Sequence, residues 1–298
     1  MTEVRGRGRS RAGRVLSVRV PASAPAGLRP LSPRPARLYL PPAHPDPAIR
    51  PRPGAPDGAA ARGEGEGPEL PVLVLMSGQP GSPEDWVTRG GLAETMDGLA
   101  ARYEGRAPIV LVVDQLGSPW RNPLGSDTAR GGAAATYLEE DVPAWLRAHT
   151  AASAEPARWA IGGVSNGATC ALQVIARGRA PFRTFLAMSA QEHPCLEPPV
   201  ITVPVGFGGD RAAFEANDPL SLWAAAGPGA YDGVAGVLSA GRSDRRYAPA
   251  TPVLARAAGA AGIAVSTRTY IGGHEWSVWS RALADQAGWL AERLGLGT

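Results

Sequence analysis

Six short apolar runs, spaced along the chain from about residue 70 onward, constrain its fold more than any other feature. The runs span residues 71–76, 109–114, 159–164, 182–189, 234–240 and 263–271. Helical patterns lie between them, at residues 91–103, 133–149, 168–177, 249–261 and 280–294. Alternation of buried strands with helices is typical of a mostly parallel sheet that carries helices on both faces. We therefore predict an α/β fold with one open central sheet.

Two further strands and two irregular stretches complete this outline. Residues 13–20 and 35–42 alternate well enough for edge strands. Residues 43–68 are dominated by Pro, Gly, Ala and charged residues, which indicates a flexible surface loop. Residues 191–233 are rich in Pro and Gly and interrupt the alternation, so we predict an insertion that lies over the strand ends as a lid or a wall.

The charges are distributed unevenly along the chain. All 30 basic residues are arginine, which excludes lysine chemistry. Residues 1–52 contain 11 Arg and two acidic residues, whereas the remainder contains 19 Arg and 25 acidic residues. We predict a disordered basic tail over residues 1–14 and a single folded domain over residues 15–298. Because the tail lacks interleaved aromatic residues, a nucleic-acid partner is not expected.

Membrane segments and cysteine chemistry are not indicated. No apolar run approaches the roughly 18 residues of a membrane-spanning helix, and the first 30 residues lack the apolar core of a secretory signal. A cytoplasmic location is therefore the expectation. Cys170 and Cys195 lack metal-ligand spacing and cannot form a disulfide framework. We expect two buried thiols, with a single disulfide as the alternative.

A serine stands at the centre of a turn motif between the third apolar run and the helical pattern after it. Residues 163–167 read Gly-Val-Ser-Asn-Gly. A G-x-S-x-G turn between a strand and a helix exposes its serine at the strand end, and it needs glycines because the backbone is strained and the helix crosses closely. Ser165 is therefore the candidate nucleophile.

A serine hydroxyl needs a base within hydrogen-bond reach and an acid that orients the base. Among the four histidines, His274 follows the last apolar run directly after two glycines, which allow a loop to project its imidazole over the sheet. The other three lie in the Pro-rich loop, near a helix end and in the irregular insertion: His44, His149 and His193. His274 is the predicted base.

The acid is expected between the serine and the histidine in chain order. Asp244 lies in the turn after the run at residues 234–240, where sites on open α/β sheets gather. Asp210 is the rival candidate, but it belongs to the irregular insertion. We predict Asp244 as the acid.

Two backbone N–H groups must stabilise the oxyanion of a tetrahedral intermediate. Asn166, directly after the serine, supplies the first. The second is expected from the loop after residue 76, where Gln79 is our choice because Pro80 has no N–H group. Gly78 and Gly81 stay as alternatives for this position.

Several further motifs accompany these residues. They are Ser77-Gly78-Gln79, Asp85-Trp86, Val113-Asp114, Thr136-Tyr137-Leu138 with Asp141-Val142-Pro143, residues 240–244, and Gly272-Gly273-His274-Glu275-Trp276. Together with the serine turn, this set resembles the esterase D branch of the α/β-hydrolases, which includes S-formylglutathione hydrolases and mycolyltransferases of the antigen 85 type. The resemblance spans roughly residues 15–294 and implies the α/β-hydrolase fold.

The resemblance implies a serine esterase that cleaves a carboxylic ester or thioester through an acyl-enzyme. An acyltransferase that passes the acyl group to a sugar, lipid or natural-product hydroxyl is the alternative. A noncatalytic carbohydrate-binding or surface-binding protein is a third interpretation. The expected partner is a small-molecule or lipid acyl ester, and neither a metal nor an organic cofactor is expected because a Ser-His-Asp triad needs none.

Departures from the family and residues near the expected site add detail. Ser77-Gly78 stands where the family commonly has His-Gly or Asp-Gly, which is expected to change how the loop is braced. Asn166 stands where family members often have Met or Leu, and its amide is expected to make the pocket entrance more polar. Trp276, Trp86 and Asp114 are predicted to contact substrate, with packing and structural hydrogen bonds as the alternative roles.

Overall fold

The computed structural model describes residues 12–45 and 68–297. The strands in these residues are β1 (Arg14–Val20), β2 (Arg34–Leu40), β3 (Val72–Met76), β4 (Ile109–Val113), β5 (Asp127–Thr128), β6 (Gly132–Ala133), β7 (Trp159–Val164), β8 (Thr184–Met188), β9 (Ala235–Gly241) and β10 (Ala264–Tyr270). The α-helices are α1 (Glu84–Thr88), α2 (Leu92–Arg102), α3 (Ala134–Thr136), α4 (Val142–His149), α5 (Asn166–Arg177), α6 (Arg211–Glu215), α7 (Pro219–Ala224), α8 (Ala250–Ala260) and α9 (Trp276–Arg293). Most of the predicted basic tail and of the predicted loop over residues 43–68 lies outside the described residues.

Eight of these strands form one sheet in the order β1-β2-β4-β3-β7-β8-β9-β10. The six predicted apolar runs are β3, β4 and β7 to β10, and each pairs in parallel with its neighbours among these six. β1 and β2 are antiparallel additions at one edge, next to β4. The prediction of a mostly parallel sheet is confirmed.

Helices cover both faces of the sheet. Along β3, alternate side chains point to opposite faces, so Val72 and Val74 join one core cluster while Leu73 and Leu75 join the other. The first cluster includes residues of α4, α5 and α8, and the second includes residues of α2 and α9. This arrangement explains why the central strands are apolar throughout, because both of their faces are buried.

The strand register aligns the carboxyl ends of the central strands. Met76, the last residue of β3, pairs with Val113 of β4 and with Gly163 of β7. The three loops that follow these strands therefore leave the sheet side by side. This is the edge at which the sequence-predicted residues meet.

The structure differs from the sequence expectations at several boundaries. β1 begins at Arg14, so the last residue of the predicted tail belongs to the sheet. Ala43, the first residue of the predicted flexible loop, is buried, and its N–H group donates to the carbonyl oxygen of Gly105. The segment at residues 133–149 is interrupted by a π-helical turn, Tyr137–Asp141, before α4 begins.

The insertion at residues 191–233 contains two short helices, α6 and α7, that were not predicted from the sequence. Asp210 and Asp218 cap these helices by accepting hydrogen bonds from the backbone N–H groups of residues 213 and 221. Leu196 and Phe207 pack with Leu124 of the loop after β4. These contacts attach the insertion to the loop after β4. Its role as a lid or a wall stays a prediction.

Two smaller expectations concern the membrane and the cysteines. Among the described helices, none combines the length and apolar character that crossing a membrane requires. Both cysteines are free thiols. Cys170 is buried, and burial raises its pKa to about 12, whereas Cys195 is only partly buried.

Candidate active site

Ser165 lies at a sharp turn between β7 and α5. Its φ of 53° and ψ of −119° are strained for a residue with a side chain. The turn is possible because Gly163 and Gly167, two residues before and after the serine, have no side chains. A Cβ atom at Gly167 would lie 2.6 Å from the carbonyl oxygens of Met76 and Ser77, and one at Gly163 would lie 2.7 Å from that of Met76. The structure therefore has the nucleophile-elbow geometry that the motif predicts.

This close approach predicts a large cost for Gly167→Ala. We expect the free energy of unfolding to fall by about 3 kcal/mol because the added methyl group overlaps two backbone oxygens that have no room to move. Gly98→Ala is the matched control, since a Cβ at that exposed position of α2 meets nothing within 4 Å. The control is expected to gain about 0.5 to 1 kcal/mol. Equal midpoints in urea unfolding of the two variants would contradict the steric argument.

The structure brings the three predicted triad side chains together. His274 Nε2 lies 3.0 Å from Ser165 Oγ, and His274 Nδ1 lies 2.7 Å from Asp244 Oδ2. Asp244 is 3% exposed, so its carboxylate is shielded from water by the surrounding turn. The arrangement can pass a proton from the serine hydroxyl to the imidazole while the carboxylate orients the ring.

Two backbone hydrogen bonds join the turn after β9, which carries Asp244, to the segment after β10, which carries His274. These bonds hold the two side chains near each other. The backbone N–H groups of Arg242 and Ser243 donate to the carbonyl oxygens of Tyr270 and Gly272 at 2.7 and 2.8 Å. Asp244 Oδ1 accepts a hydrogen bond of 3.1 Å from the backbone N–H of residue 247. The second carboxylate oxygen is thereby left for the histidine.

Two aromatic rings pack against the imidazole of His274. The ring centroid of Tyr247 lies 4.6 Å away at a tilt of 39°, and that of Trp279 lies 4.8 Å away edge to face. Trp279 is itself held by a hydrogen bond of 3.2 Å from its Nε1 to Ser189 Oγ. Burial raises the pKa of the Tyr247 hydroxyl. These contacts limit the rotation of the ring about the position in which it reaches both partners.

The other histidines have local partners of their own. His44 Nε2 accepts from the backbone N–H of residue 151, and His149 Nδ1 bonds to the carbonyl oxygen of Trp145. His193 Nδ1 lies 2.9 Å from a carboxylate oxygen of Asp218, and that hydrogen bond raises the pKa of His193. Each therefore has a structural explanation.

Asp210, the rival candidate for the acid, also has a structural explanation. Asp210 Oδ1 caps α6 by accepting from the backbone N–H of Ala213 at 2.9 Å. The side chain is exposed.

The loop predicted to supply an oxyanion donor is braced on several sides. Ser77 Oγ donates to the carbonyl oxygen of Ser82 at 2.6 Å, which shows how the serine at the family's departure position holds the loop. A Cβ at Gly78 would lie 3.2 Å from the Cβ of Ser165, so this loop runs directly beside the nucleophile. The backbone N–H of Gln79 remains our predicted donor from this loop.

Trp86 corrects one prediction. Its side chain is 0% exposed, and its Nε1 donates to the carbonyl oxygen of Met76 at 3.0 Å. The ring therefore has no surface that a substrate can contact. It supports the end of β3, just before the loop that is predicted to supply an oxyanion donor, because a buried indole N–H needs an acceptor and finds one there.

Asp114 makes structural hydrogen bonds, which was the alternative to its predicted contact with substrate. Its Oδ1 accepts from the backbone N–H groups of Leu116 and Gly117 at 3.0 and 2.7 Å, and its Oδ2 lies 3.9 Å from Arg34 Nη1. These bonds shape the turn after β4. Contact between Asp114 and substrate stays a prediction without support from this geometry.

Trp276 is partly buried at the start of α9. Its ring packs edge to face with Trp86 at 5.2 Å and with Trp279 at 5.3 Å between centroids. The guanidinium of Arg89 lies over it, 5.5 Å from the centroid. Because Trp279 contacts His274, Trp276 is one ring removed from the base, and its contact with substrate stays a prediction.

Asn166 corrects a second expectation. The residue is buried, and its side-chain amide bonds to two other buried amides, those of Gln115 and Asn122. The amide therefore does not contribute to the polarity of a pocket entrance. The backbone N–H of Asn166, at the start of α5, remains the predicted oxyanion donor.

Sequence reasoning missed Gln115, Asn122 and Tyr247. The signal for Gln115 was its place directly after a predicted strand, where side chains reach the functional edge of the sheet. Tyr247 lies three residues after the predicted acid, within the same turn. Asn122 lies in an irregular loop that offers no comparable signal.

Comparisons with known proteins agree with this architecture. The model of the Esterase family, described as "Putative esterase", matches residues 63–290. The Corynebacterium glutamicum protein Cgl0967/cg1104, itself uncharacterized, is 38% identical over 231 residues, which cover 76% of this chain. The chain spans about half the length of this relative, since the match covers 54% of it.

Solved structures share the fold at low sequence identity. A ferulic acid esterase superposes with a TM-score of 0.69 at 19% identity, over 95% of this chain and 99% of its own. The S-formylglutathione hydrolase of Agrobacterium tumefaciens gives the same TM-score and identity, over 96% and 97%. With the family model matching most of the chain, this protein belongs to the Esterase family and has the α/β-hydrolase fold.

Proposed function

We propose that the protein is a serine esterase that hydrolyses a carboxylic ester or thioester through an acyl-enzyme. The observation that carries this proposal is the continuous hydrogen-bonded array from Ser165 through His274 to Asp244 at a strained elbow. Membership of the Esterase family supports it. Its substrate is expected to be a small molecule or lipid with an acyl ester.

The first half of the reaction acylates the serine. Ser165 Oγ adds to the carbonyl carbon of the ester while its proton passes to His274 Nε2. The carbonyl oxygen becomes an oxyanion and accepts hydrogen bonds from the backbone N–H groups of Gln79 and Asn166. The bond to the leaving group then breaks, and the leaving group departs as an alcohol or thiol with the proton from His274.

The second half restores the enzyme. Water gives a proton to His274 Nε2 as its oxygen adds to the acyl carbon, and the same two N–H groups hold the new oxyanion. Collapse releases the carboxylic acid and returns the proton to Ser165 Oγ. Asp244 keeps the remaining proton of the neutral ring on Nδ1 and stabilises the imidazolium that forms in each half.

The experiment that tests this proposal combines turnover with labelling. A p-nitrophenyl ester series of increasing acyl length is expected to give turnover, and a fluorophosphonate probe is expected to add once, at Ser165 on peptide mapping. A protein that is inert on every ester and unlabelled would contradict the proposal and favour a binding function on the same fold.

Acyl transfer is distinguished by adding alcohol acceptors. Glycerol and simple sugars are included at increasing concentration, and products are separated by mass. The proposal of a hydrolase expects free acid to dominate throughout. Acylated acceptor that outcompetes acid at modest acceptor concentration would assign the protein to the transferases.

A further inference from the structure

Three buried amide side chains lie beside the proposed catalytic serine, and the reaction as derived does not use them. Gln115, Asn122 and Asn166 are 2%, 7% and 6% exposed. They come from the loop after β4 and from the first residue of α5. We call these three residues the amide chain.

The direction of every hydrogen bond in the amide chain is determined. Gln115 Nε2 donates to the carbonyl oxygen of Ser77 at 2.7 Å and to Asn166 Oδ1 at 3.1 Å. Asn166 Nδ2 then donates to Asn122 Oδ1 at 3.3 Å. Asn122 Nδ2 donates to the carbonyl oxygen of Cys195 at 3.0 Å. Because a carbonyl oxygen only accepts, the two ends allow one orientation of each amide.

Gln115 thereby joins the two segments that are proposed to form the oxyanion hole. One N–H of its amide holds the carbonyl oxygen of Ser77, in the peptide group that enters Gly78 and leads to Gln79. Its other N–H holds the side chain of Asn166, whose backbone N–H is the second proposed donor. Since peptide groups are planar, fixing the Ser77 carbonyl fixes the Ser77-Gly78 peptide group, which directly precedes the peptide group that carries the Gln79 N–H.

We propose that Gln115 is a positioning residue for the oxyanion hole of this enzyme. The inference rests on the proposed function, because it assigns Gln115 the task of setting the spacing between the Gln79 and Asn166 donors. Oxyanion stabilisation depends on donors that are already aimed at the developing charge. A small displacement of either segment therefore costs rate without removing any group that touches substrate.

This role explains the asparagine after the nucleophile. An apolar side chain at residue 166 would leave the second N–H of Gln115 without its acceptor in a buried site, where an unmet hydrogen bond is costly. Asn166 Oδ1 accepts the hydrogen bond from this N–H, and Asn122 Oδ1 accepts one from the amide N–H of Asn166. Asn122 Oδ1 also accepts from the backbone N–H of Leu124 at 2.8 Å, which anchors the chain of bonds at its far side.

The test is Gln115→Met, which keeps the length and volume of the side chain but removes both donors. We expect kcat to fall roughly 10-fold to 100-fold with KM within about 2-fold, because the loss acts on a charge that develops only in the transition state. Affinity for a trifluoromethyl ketone, whose serine adduct places an oxyanion in the hole, is expected to fall by the same factor as kcat/KM.

Gln173→Met is the matched control. Gln173 is equally buried, and its Nε2 donates to the carbonyl oxygens of Leu124 and Asn217, both at 2.9 Å, without reaching the oxyanion loop. A purely structural effect of losing a buried glutamine would lower the thermal midpoint of both variants alike. We expect the control to keep the wild-type kcat and ketone affinity.

The double variant Gln115→Met with Asn166→Met protects the test against misfolding, because it leaves no orphaned partner between the two positions. It is expected to recover thermal stability but not kcat. Wild-type kcat in either folded variant would overturn the inference and leave the proposed function standing. A wild-type protein without serine-dependent esterase activity would overturn the proposed function and the inference with it.

Discussion

Ser165→Ala is expected to lower kcat by about 10⁶-fold. The substitution removes the atom that we propose forms the acyl-enzyme bond, and it leaves His274 without a hydroxyl to deprotonate. The oxyanion donors and the substrate contacts remain, so residual turnover is expected to stay above that of the reaction in water. Turnover of p-nitrophenyl esters under substrate saturation measures the effect.

Two further measurements on the Ser165→Ala protein exclude misfolding and a contaminating esterase as the cause of the result. The thermal midpoint is expected to match that of the wild type, because alanine is smaller than serine and the strained turn is retained. Fluorophosphonate labelling should vanish together with turnover. Residual activity of more than about 1% of wild type would show that Ser165 is not the nucleophile, since removing a catalytic nucleophile costs far more than that.

Asp244→Asn is expected to lower kcat by about 10⁴-fold. The carboxylate accepts the Nδ1–H of His274 over 2.7 Å, whereas an amide can present its N–H group there and favour the tautomer with the proton on Nε2. A histidine in that tautomer cannot take the proton of Ser165. The change is nearly isosteric, so the loss reports the tautomer rather than the packing.

Asp210→Asn provides the control for this second prediction. Asp210 is the sequence rival of Asp244, yet its carboxylate caps α6. Asparagine is an equally good helix cap, so kcat and stability are expected to stay close to wild type. Comparable losses in the two variants, measured as kcat/KM across pH 6 to 9, would contradict the assignment of the acid.

Most of the framework could be predicted because it depends on local patterns. The runs at β3 and β4 could be recognised because a strand buried on both faces has no polar positions. β10, at the edge of the sheet, is mostly exposed and carries polar residues. The serine turn could be located because G-x-S-x-G is a local motif. The atoms that exclude a side chain at residue 167, the carbonyl oxygens of Met76 and Ser77, come from the neighbouring strand and its loop, so only the structure shows why the glycine is required. Helix starts were less accurate: α9 begins at Trp276 rather than near residue 280, since it starts directly after the loop that carries His274.

Side-chain roles near the site could not be predicted with the same success. Trp86 was expected to face substrate, but it is buried and donates to Met76. The sequence offers no measure of which side of a loop a tryptophan faces. α6 and α7 were also missed, because helices of five and six residues are too short to produce a clear period.

The sequence by itself determined the chain order of serine, acid and histidine, the strand after which each lies and the small residues that their turns require. Only the tertiary structure decided that Gln115 bridges Ser77 and Asn166, and that the rings of Tyr247 and Trp279 pack against His274. The reason is physical. A periodic pattern records which face of an element is buried, whereas a hydrogen bond between residues 38 or 51 positions apart depends on how neighbouring strands align.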